Sequence, residues 1–199
     1  KALAEKLVTS KARISTKSDT VFTATRYGNV MASRGSVIPL FVSQAMAGKQ
    51  LTITEPNMTR FMMSLPQSVD LVLHAFSKGN QGDILVRKAP ACTIETLAKA
   101  IKEIFNSKSE ISFIGTRHGE KIFETLVSQE EMSKALSVGN YYRIPMDGRG
   151  LNYEVYFSEG KKGLVSTEEY TSHNTQQLSV EETVDLIIKL EFIKDKINA

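Results

Sequence analysis

The stretch that decides the fold covers residues 19–47 and reads DTVFTATRYGNVMASRGSVIPLFVSQAMA. Its first part, residues 19–25, is mostly β-branched or aromatic and predicts a strand. Gly28 then marks a turn, and Gly35-Ser36-Val37 leads into a helix predicted over residues 38–47. A strand that ends in a glycine turn and is followed by a helix indicates an α/β protein with a ligand-type loop at the end of that strand.

Helix and strand patterns continue along the rest of the chain. Capping-box spacing, in which a serine is followed three residues later by Gln or Glu, predicts helix starts at Ser64, Ser128 and Ser179. After Ser64 we expect an amphipathic helix whose buried face carries four apolar residues, namely Val69, Val72, Leu73 and Phe76. The other predicted helices cover residues 1–13 and 94–105, and the other predicted strands cover residues 51–54, 59–64, 83–86 and 111–114. Residues 141–178 show no clear period and predict an extended or loop-rich tail.

Composition limits the classes of function. The 199 residues are 41% hydrophobic, which is enough for one domain, or a large piece of one, with a real core. The net charge of +3 comes from interspersed acidic and basic residues, and a nucleic-acid-binding protein would need a clustered cationic face with aromatic platforms. No apolar run is long enough to span a membrane, so we expect a cytoplasmic protein with no nucleic-acid or membrane partner.

Several catalytic motifs are missing from the sequence. There is no glycine triplet at dinucleotide-binding spacing, no phosphate loop and no nucleophile elbow. The lone cysteine, Cys92, reads as a small packing residue, and the three histidines (His74, His118, His173) are too scattered to predict a metal site. The chain therefore carries no self-sufficient catalytic set.

A second glycine-containing cluster, Gly115-Thr116-Arg117-His118-Gly119-Glu120-Lys121, complements the first. Arg117 offers a rigid cationic fork that fits phosphate oxygens, and the carboxylate of Glu120 suits a pair of ribose hydroxyls. The alternative is a tight surface turn in which Arg117 and Glu120 merely pair with each other. Together with the Gly28 loop, the cluster favours a sugar-nucleotide site.

Six segments, read in order, resemble the C-terminal part of extended short-chain dehydrogenases, most closely the bacterial UDP-N-acetylglucosamine 4,6-dehydratases of the inverting, 5-epimerising kind. These segments are residues 1–7, 25–41, 51–64, 115–125, 141–153 and 172–178, and the string over residues 26–39 is the most specific. The resemblance implies an incomplete Rossmann sheet plus a smaller α/β region that binds substrate. Residues 1–30 would be the remnant of the Rossmann domain, whose final elements recur within residues 66–90. Residues 31–140 would mainly bind the UDP-sugar, and residues 141–199 would form a latch-like tail and a final helix.

The resemblance also implies roles for individual residues. Lys1 would close the Tyr/Met-x-x-x-Lys motif, act in catalysis and hold the nicotinamide ribose of NADP, with Val30 also beside the cofactor. The residues expected to bind the UDP-sugar are Asn29, Ser36, Val37, Thr52, Arg60, Arg117 and Glu120. Gln177 stands where relatives commonly carry arginine. From the residues alone, Lys1 could be a solvated helix lysine, Asn29 a turn former and Thr52 an ordinary strand residue.

Enzymes of the resembling family abstract the C4 hydride of UDP-N-acetylglucosamine with NADP, eliminate water across C5 and C6, and return the hydride to C6. They serve surface or capsular polysaccharide biosynthesis. Because the cofactor loop and the acid and base of that family lie in its N-terminal half, we expect this stretch alone to be inactive, to bind NADP poorly and to expose an apolar patch. We expect the intact parent to be a homo-oligomer. A UDP-sugar 4-epimerase, a retaining dehydratase and a non-catalytic UDP-sugar-binding module are the alternatives.

Overall fold

The computed structural model describes residues 1–15, 20–146 and 168–198. Within these ranges helices and strands alternate for most of the chain, and the predicted α/β class is confirmed. The elements are α1 (Ala2–Ile14), β1 (Ala24–Arg26), α2 (Val37–Met46), β2 (Leu51–Ile53), β3 (Thr59–Phe61), α3 (Leu65–Lys78), β4 (Ile84–Arg87), β5 (Ala91–Thr93), α4 (Ile94–Ile104), β6 (Ile111–Phe113), β7 (Thr125–Val127), α5 (Gln129–Met132), β8 (Leu136–Val138), β9 (Tyr141–Ile144), β10 (Tyr170–Thr171), α6 (Val180–Ile187) and α7 (Glu191–Ile197).

The chain divides into two compact units. Unit 1 takes its residues from 1–27, 68–88 and 126–170, and unit 2 takes its residues from 28–67, 89–125 and 171–199. The ranges predicted for functional parts are continuous, whereas the units interleave along the chain because strands distant in sequence pair with each other. The functional roles of those ranges stay predictions.

Unit 1 is built on a four-stranded mixed sheet with the strand order β1-β4-β9-β8. Strand β1 runs parallel to β4, and β9 is antiparallel to both β4 and β8. The start of the extended or loop-rich tail predicted over residues 141–178 is a sheet strand, because the Tyr-Tyr-Arg-Ile run of β9 pairs on both of its edges. Residues 147–167 of that predicted tail lie outside the described residues.

The strand predicted over residues 19–25 is shorter and shifted toward its C-terminal end. Strand β1 begins only at Ala24, and Asp19 lies outside the described residues. At Phe22 the backbone N–H donates to Oε1 of Gln81 (2.8 Å) and the carbonyl accepts from the N–H of Gly82 (2.8 Å). These bonds satisfy the backbone without a neighbouring strand, which is why a β-prone composition does not produce a longer strand here.

Helix α3 forms as predicted, but its buried face is not the predicted one. Val69, Val72, Leu73 and Phe76 are 50%, 38%, 58% and 84% exposed, whereas the buried residues are Ser68, Leu71 and Ala75. Leu71 and Ala75 pack with Leu85 of β4. The helix rests on the sheet of unit 1 through its smaller side chains, and its bulkier face stays exposed in the described chain.

Arg26, the last residue of β1, connects three elements of unit 1. Its Nε and Nη2 donate to the two oxygens of Glu5 on α1 (2.8 and 2.6 Å). Its Nη1 and Nη2 donate to Glu131 on α5 (2.7 and 2.8 Å), and Nη1 also reaches the carbonyl of Leu126 (3.0 Å). All five N–H donors of the guanidinium are therefore used, which holds α1, β1 and α5 in one arrangement.

The Arg26 cluster predicts a specific pH dependence. Burial acts to raise the pKa of Glu131, but hydrogen bonds from Arg26 and Ser128 outweigh it, and the pKa lies below its ordinary value of 4.5. A carboxyl group whose pKa is lower in the folded state stabilises the fold fully at pH values above its unfolded-state pKa. This stabilisation is lost as the pH falls through the folded-state pKa. We expect the urea midpoint to fall as the pH drops below about 4.5. Glu131→Gln, which keeps the capping-box geometry, should flatten that fall, and an unchanged profile would contradict the assignment.

Among the residues that the structure describes, unit 2 contains a large core in which α2 and α4 pack around short strand pairs. Strand β2 runs parallel to β6, and β3 runs antiparallel to β5. The fully buried side chains at its centre include Phe41, Leu51 and Ile101. Burial raises the pKa of Cys92 to about 12, although a hydrogen bond with Thr183 acts in the opposite direction, so the residue is a buried thiol rather than a nucleophile.

The three predicted capping boxes are present in the structure. Ser64 and Gln67 exchange hydrogen bonds of 2.9 and 3.3 Å at the start of α3, and the pairs at Ser128 and Ser179 do the same at α5 and α6. The sequence spacing therefore located these helix starts correctly. Helix α5 is only one turn long. Over the described ranges, no helix combines the length and apolar character needed to cross a membrane.

Gly28 allows two segments of unit 2 to approach closely. A Cβ atom added there would overlap Cβ of Phe61 and lie 2.8 Å from its Cγ. Because Phe61 is fully buried, it cannot move away, and we expect Gly28→Ala to lower the free energy of unfolding by about 1–3 kcal/mol. Chemical denaturation measures the effect. The exposed neighbour Asn29 provides the matched control, since Asn29→Ala should leave stability nearly unchanged, and an equal loss in both variants would contradict the steric argument.

Candidate functional site

A cavity of about 360 Å³ lies within unit 2, and its size is in the range of small-molecule sites. Its walls combine an apolar floor, including Phe41, Met58 and Phe61, with a few polar side chains. All the residues predicted to bind the UDP-sugar line this cavity, as does Val30: Asn29, Ser36, Val37, Thr52, Arg60, Arg117 and Glu120. Lys1 belongs to unit 1, where it is exposed at the start of α1. The structure thus brings together every predicted site residue of unit 2.

Asn29 is positioned by a short parallel β-bridge just beyond the end of β3. Its carbonyl accepts from the N–H of Met63 (3.3 Å), and the N–H of Met31 donates back to the carbonyl of Met63 (2.9 Å). Val30 forms the parallel bridge with Met63 between these bonds. The exposed Asn29 amide has no hydrogen-bond partner among the described residues, so its donor and its acceptor are both available to a ligand.

Helix α2 presents its N-terminus to the cavity. Ser36 is the N-cap residue, but its side chain makes no capping bond, and the hydroxyl is buried without a hydrogen-bond partner in the described part of the chain. Val37 and Ile38, the first two helical residues, also line the cavity. An uncapped helix start exposes backbone N–H groups and the positive end of the helix dipole, which together favour an anion.

Arg60 is a cation of the cavity wall whose guanidinium already donates hydrogen bonds to the protein. Its Nη1 donates to the carbonyl of Thr59 (2.8 Å) and its Nη2 to that of Lys121 (2.9 Å). Burial lowers the pKa of Arg60, although the charges of Glu124 and Glu120 act against this shift. The guanidinium therefore holds the segment around residue 121 and contributes a half-buried positive charge to the cavity wall.

Arg117 and Glu120 form a closed turn rather than an ion pair. The N–H of Arg117 donates to Oε2 of Glu120 (3.1 Å), and the N–H of Glu120 donates to the carbonyl of Arg117 (3.1 Å). Gly119, at φ +80, supplies the left-handed residue that this turn requires. The exposed Arg117 guanidinium has no partner among the described residues and so remains available for an anionic group.

Two structural contributors to the site were missed by the sequence reasoning. Ser172 is fully buried, and its hydroxyl contacts Oγ1 of Thr59 (2.8 Å) and accepts from the N–H of Glu124 (2.9 Å). It therefore ties the strand that carries Arg60 to the end of the loop that carries Arg117. Nothing in the local pattern around Ser172 distinguishes it from any other serine.

Gln177 donates from Nε2 to the carbonyls of Ser172 (2.8 Å) and Thr175 (3.0 Å), so at this position an amide closes a turn.

The second missed contributor is Gln44 on α2. Its Oε1 accepts from the N–H of Thr52 (3.2 Å) and its Nε2 donates to Oγ1 of Thr52 (2.9 Å). Gln44 itself does not line the cavity, but Thr52 does. The only sequence signal was a polar residue inside an apolar helix.

The family model for polysaccharide biosynthesis proteins matches residues 1–146, and the model for the C-terminal part of polysaccharide biosynthesis proteins matches residues 147–194. Proteins named UDP-glucose 4-epimerase in Rickettsia rickettsii (strain Sheila Smith) and Rickettsia akari (strain Hartford) are each 62% identical over 197 residues. These matches cover 99% of this chain and 58% of each relative, so the chain spans little more than half the length of these relatives.

Among solved structures, Pen from Bacillus thuringiensis matches 94% of this chain and 55% of its own, with a TM-score of 0.81 and 32% identity. A UDP-N-acetylglucosamine 4-epimerase from Methanobrevibacter ruminantium M1, solved with UDP-N-acetylmuramic acid, covers 60% of this chain and 40% of its own at TM-score 0.50 and 22% identity, a similarity of fold alone. From the family match over most of its length and these relatives, the chain belongs to the polysaccharide biosynthesis protein family.

Proposed function

We propose that the cavity of unit 2 binds a UDP-sugar and that the parent protein is an NADP-dependent UDP-N-acetylglucosamine 4,6-dehydratase of the 5-inverting kind. The observation that carries the proposal is the convergence of Arg60, Arg117, the Asn29 amide and the uncapped start of α2 on one cavity. The positive charge of Arg60, the guanidinium of Arg117 and a helix N-terminus together fit a pyrophosphate without a metal ion. The dehydratase assignment rests on the resemblance of residues 26–39.

The edge of β2 that faces away from β6 supports a nucleobase at the cavity wall, although Gln44 already binds its Thr52 N–H. The N–H of Leu51 donates to the carbonyl of Glu110 (2.9 Å), and the carbonyl of Ile53 accepts from the N–H of Ile114 (2.9 Å). The main-chain N–H and C=O groups of Leu51 and Ile53 therefore point toward β6. Thr52 and Thr54 therefore direct their main-chain groups to the other edge, and both line the cavity. A carbonyl acceptor from Thr52 beside an N–H donor from Thr54 fits the edge of a pyrimidine base.

The cofactor would supply hydride acceptance and return at the sugar. From this chain, Lys1 and Val30 are the proposed contacts to it. Lys1 is exposed at the start of α1, one helical turn before Glu5. Because Arg26 binds the carboxylate of Glu5, that carboxylate is not paired with the Lys1 ammonium. The residues of unit 2 would bind and orient the UDP moiety, with Glu120 proposed for the ribose. We also propose residues 31–140 as the main UDP-sugar-binding range.

A UDP-sugar 4-epimerase is the second candidate, because relatives 62% identical to this chain carry that activity in their names. Both reactions begin at C4 of the sugar and place the same demands on a UDP-binding cavity. The test is incubation of the intact parent with UDP-N-acetylglucosamine and NADP, followed by NMR analysis of the product. A 4-keto-6-deoxy sugar supports the dehydratase, and a C4 epimer replaces it with the second candidate. A protein that binds UDP but forms neither product would instead be a binding module.

A further inference from the structure

Gln44 is bound to Thr52 in only one orientation. A backbone N–H can only donate, so the Thr52 N–H must meet the carbonyl oxygen of the Gln44 amide, at 3.2 Å. This leaves the amide nitrogen to donate to the Thr52 hydroxyl oxygen, at 2.9 Å. Since that oxygen accepts a hydrogen bond from Gln44, the hydroxyl hydrogen of Thr52 is left to donate to another group.

We infer that Gln44 fixes the Thr52 hydroxyl as a hydrogen-bond donor toward the cavity and thereby selects uracil over cytosine; this inference rests on the proposed function of the cavity. Thr52 lines the cavity between the buried residues Leu51 and Ile53, and Gln44 lies behind it on α2. Gln44 is a positioning residue, because it would touch the ligand only through Thr52.

The Thr52 hydroxyl is the group that distinguishes uracil from cytosine. The Thr52 carbonyl and the Thr54 N–H alone accommodate either base, since uracil offers an N–H beside a carbonyl and cytosine offers an amino group beside a ring nitrogen. A donor hydroxyl next to this pair completes a donor–acceptor–donor edge, which matches the carbonyl, N–H and carbonyl of uracil. The same donor would face the amino hydrogens of cytosine or leave a polar group unpaired.

The variant that tests this is Gln44→Glu. A carboxylate still accepts from the Thr52 N–H, but it cannot donate, so the Thr52 hydroxyl must donate to it and becomes an acceptor toward the cavity. The side chain keeps its size and both hydrogen bonds, while the polarity of the hydroxyl reverses. The added negative charge weakens UDP and CDP alike, and the ratio of the two affinities removes that effect.

Calorimetric titration of the full chain with UDP and CDP gives the readout. We expect the unaltered chain to bind UDP at least about tenfold more tightly than CDP, and Gln44→Glu to reduce that ratio by about tenfold. Thr52→Val removes the hydroxyl and should reduce the ratio by itself. In the Thr52→Val background, Gln44→Glu should then leave the ratio unchanged, as expected for a residue that acts through the hydroxyl.

The outcomes separate the inference from the function on which it rests. A chain that binds neither nucleotide overturns the UDP-sugar proposal and, with it, the selection. A chain that prefers UDP and keeps its full preference in Gln44→Glu retains the proposed function but overturns the role of Gln44. Equal affinities for UDP and CDP in the unaltered chain also overturn the selection. Thermal melts of each variant establish that it is folded before the titrations are compared.

Discussion

Replacing Arg26 with methionine is expected to lower the free energy of unfolding by about 3 kcal/mol, the lower end of the range for breaking a buried ion pair. The value lies at that end because the side chains of Arg26, Glu5 and Glu131 are still 21–22% exposed. The loss arises mainly from the two carboxylates, which would remain in a half-buried site without a cation. Urea denaturation of the chain followed by circular dichroism measures the effect.

A matched variant distinguishes charge from packing in this prediction. Combining Arg26→Met with Glu5→Gln and Glu131→Gln removes the stranded charges and keeps the capping box of α5, because Gln also serves at that position. We expect the triple variant to recover most of the lost stability. If it is as unstable as Arg26→Met, the aliphatic packing of the arginine stem, rather than its five hydrogen bonds, stabilises unit 1.

Arg117→Ala is expected to weaken UDP binding by about 10- to 100-fold, the loss of one charge-assisted contact to phosphate. The residue is exposed and its guanidinium has no partner in the described ranges, so the fold should be unaffected. Binding of uridine, which has no phosphate, should barely change. Titrations with UDP and uridine at two salt concentrations provide the measurement, since a phosphate contact weakens with added salt.

Lys121 provides the control for this variant, because it is an exposed cation of the same loop that pairs only loosely with Glu124, at 4.0 Å. Lys121→Ala should alter UDP affinity far less than Arg117→Ala does. Equal losses of UDP and uridine in Arg117→Ala would show that the residue shapes the cavity instead of contacting phosphate. Equal losses in the two loop variants would reduce the effect to general attraction by positive charge.

The outcomes for single elements show where sequence reasoning succeeds. Helix starts at Ser64, Ser128 and Ser179 were located correctly because a capping box is closed within four consecutive residues. The buried face of α3 was assigned wrongly, because periodicity identifies an apolar face but not which face meets a neighbour. In the structure the sheet of unit 1 receives Leu71 and Ala75, while Phe76 is 84% exposed.

The same distinction applies to the site. Arg117, Glu120 and the Asn29 loop could be proposed from local chemistry, since glycine turns carrying a cation and an amide are visible in the sequence. The roles of Gln44 and Ser172 could not, because each depends on a partner 8 or 113 residues away, and the same holds in unit 1 for Arg26, whose partner Glu131 is 105 residues away. Their hydrogen bonds exist only after the segments pack.

Local order along the chain was thus encoded in patterns a few residues long: the α/β alternation, the caps and the residue types suited to a phosphorylated ligand. The pairing of β9, the exposed face of α3, the cavity shared by Arg60 and Arg117 and the donor polarity of Thr52 arose from packing. The physical reason is that backbone propensity and capping act over one helical turn, whereas burial and hydrogen-bond pairing depend on which distant segments come into contact.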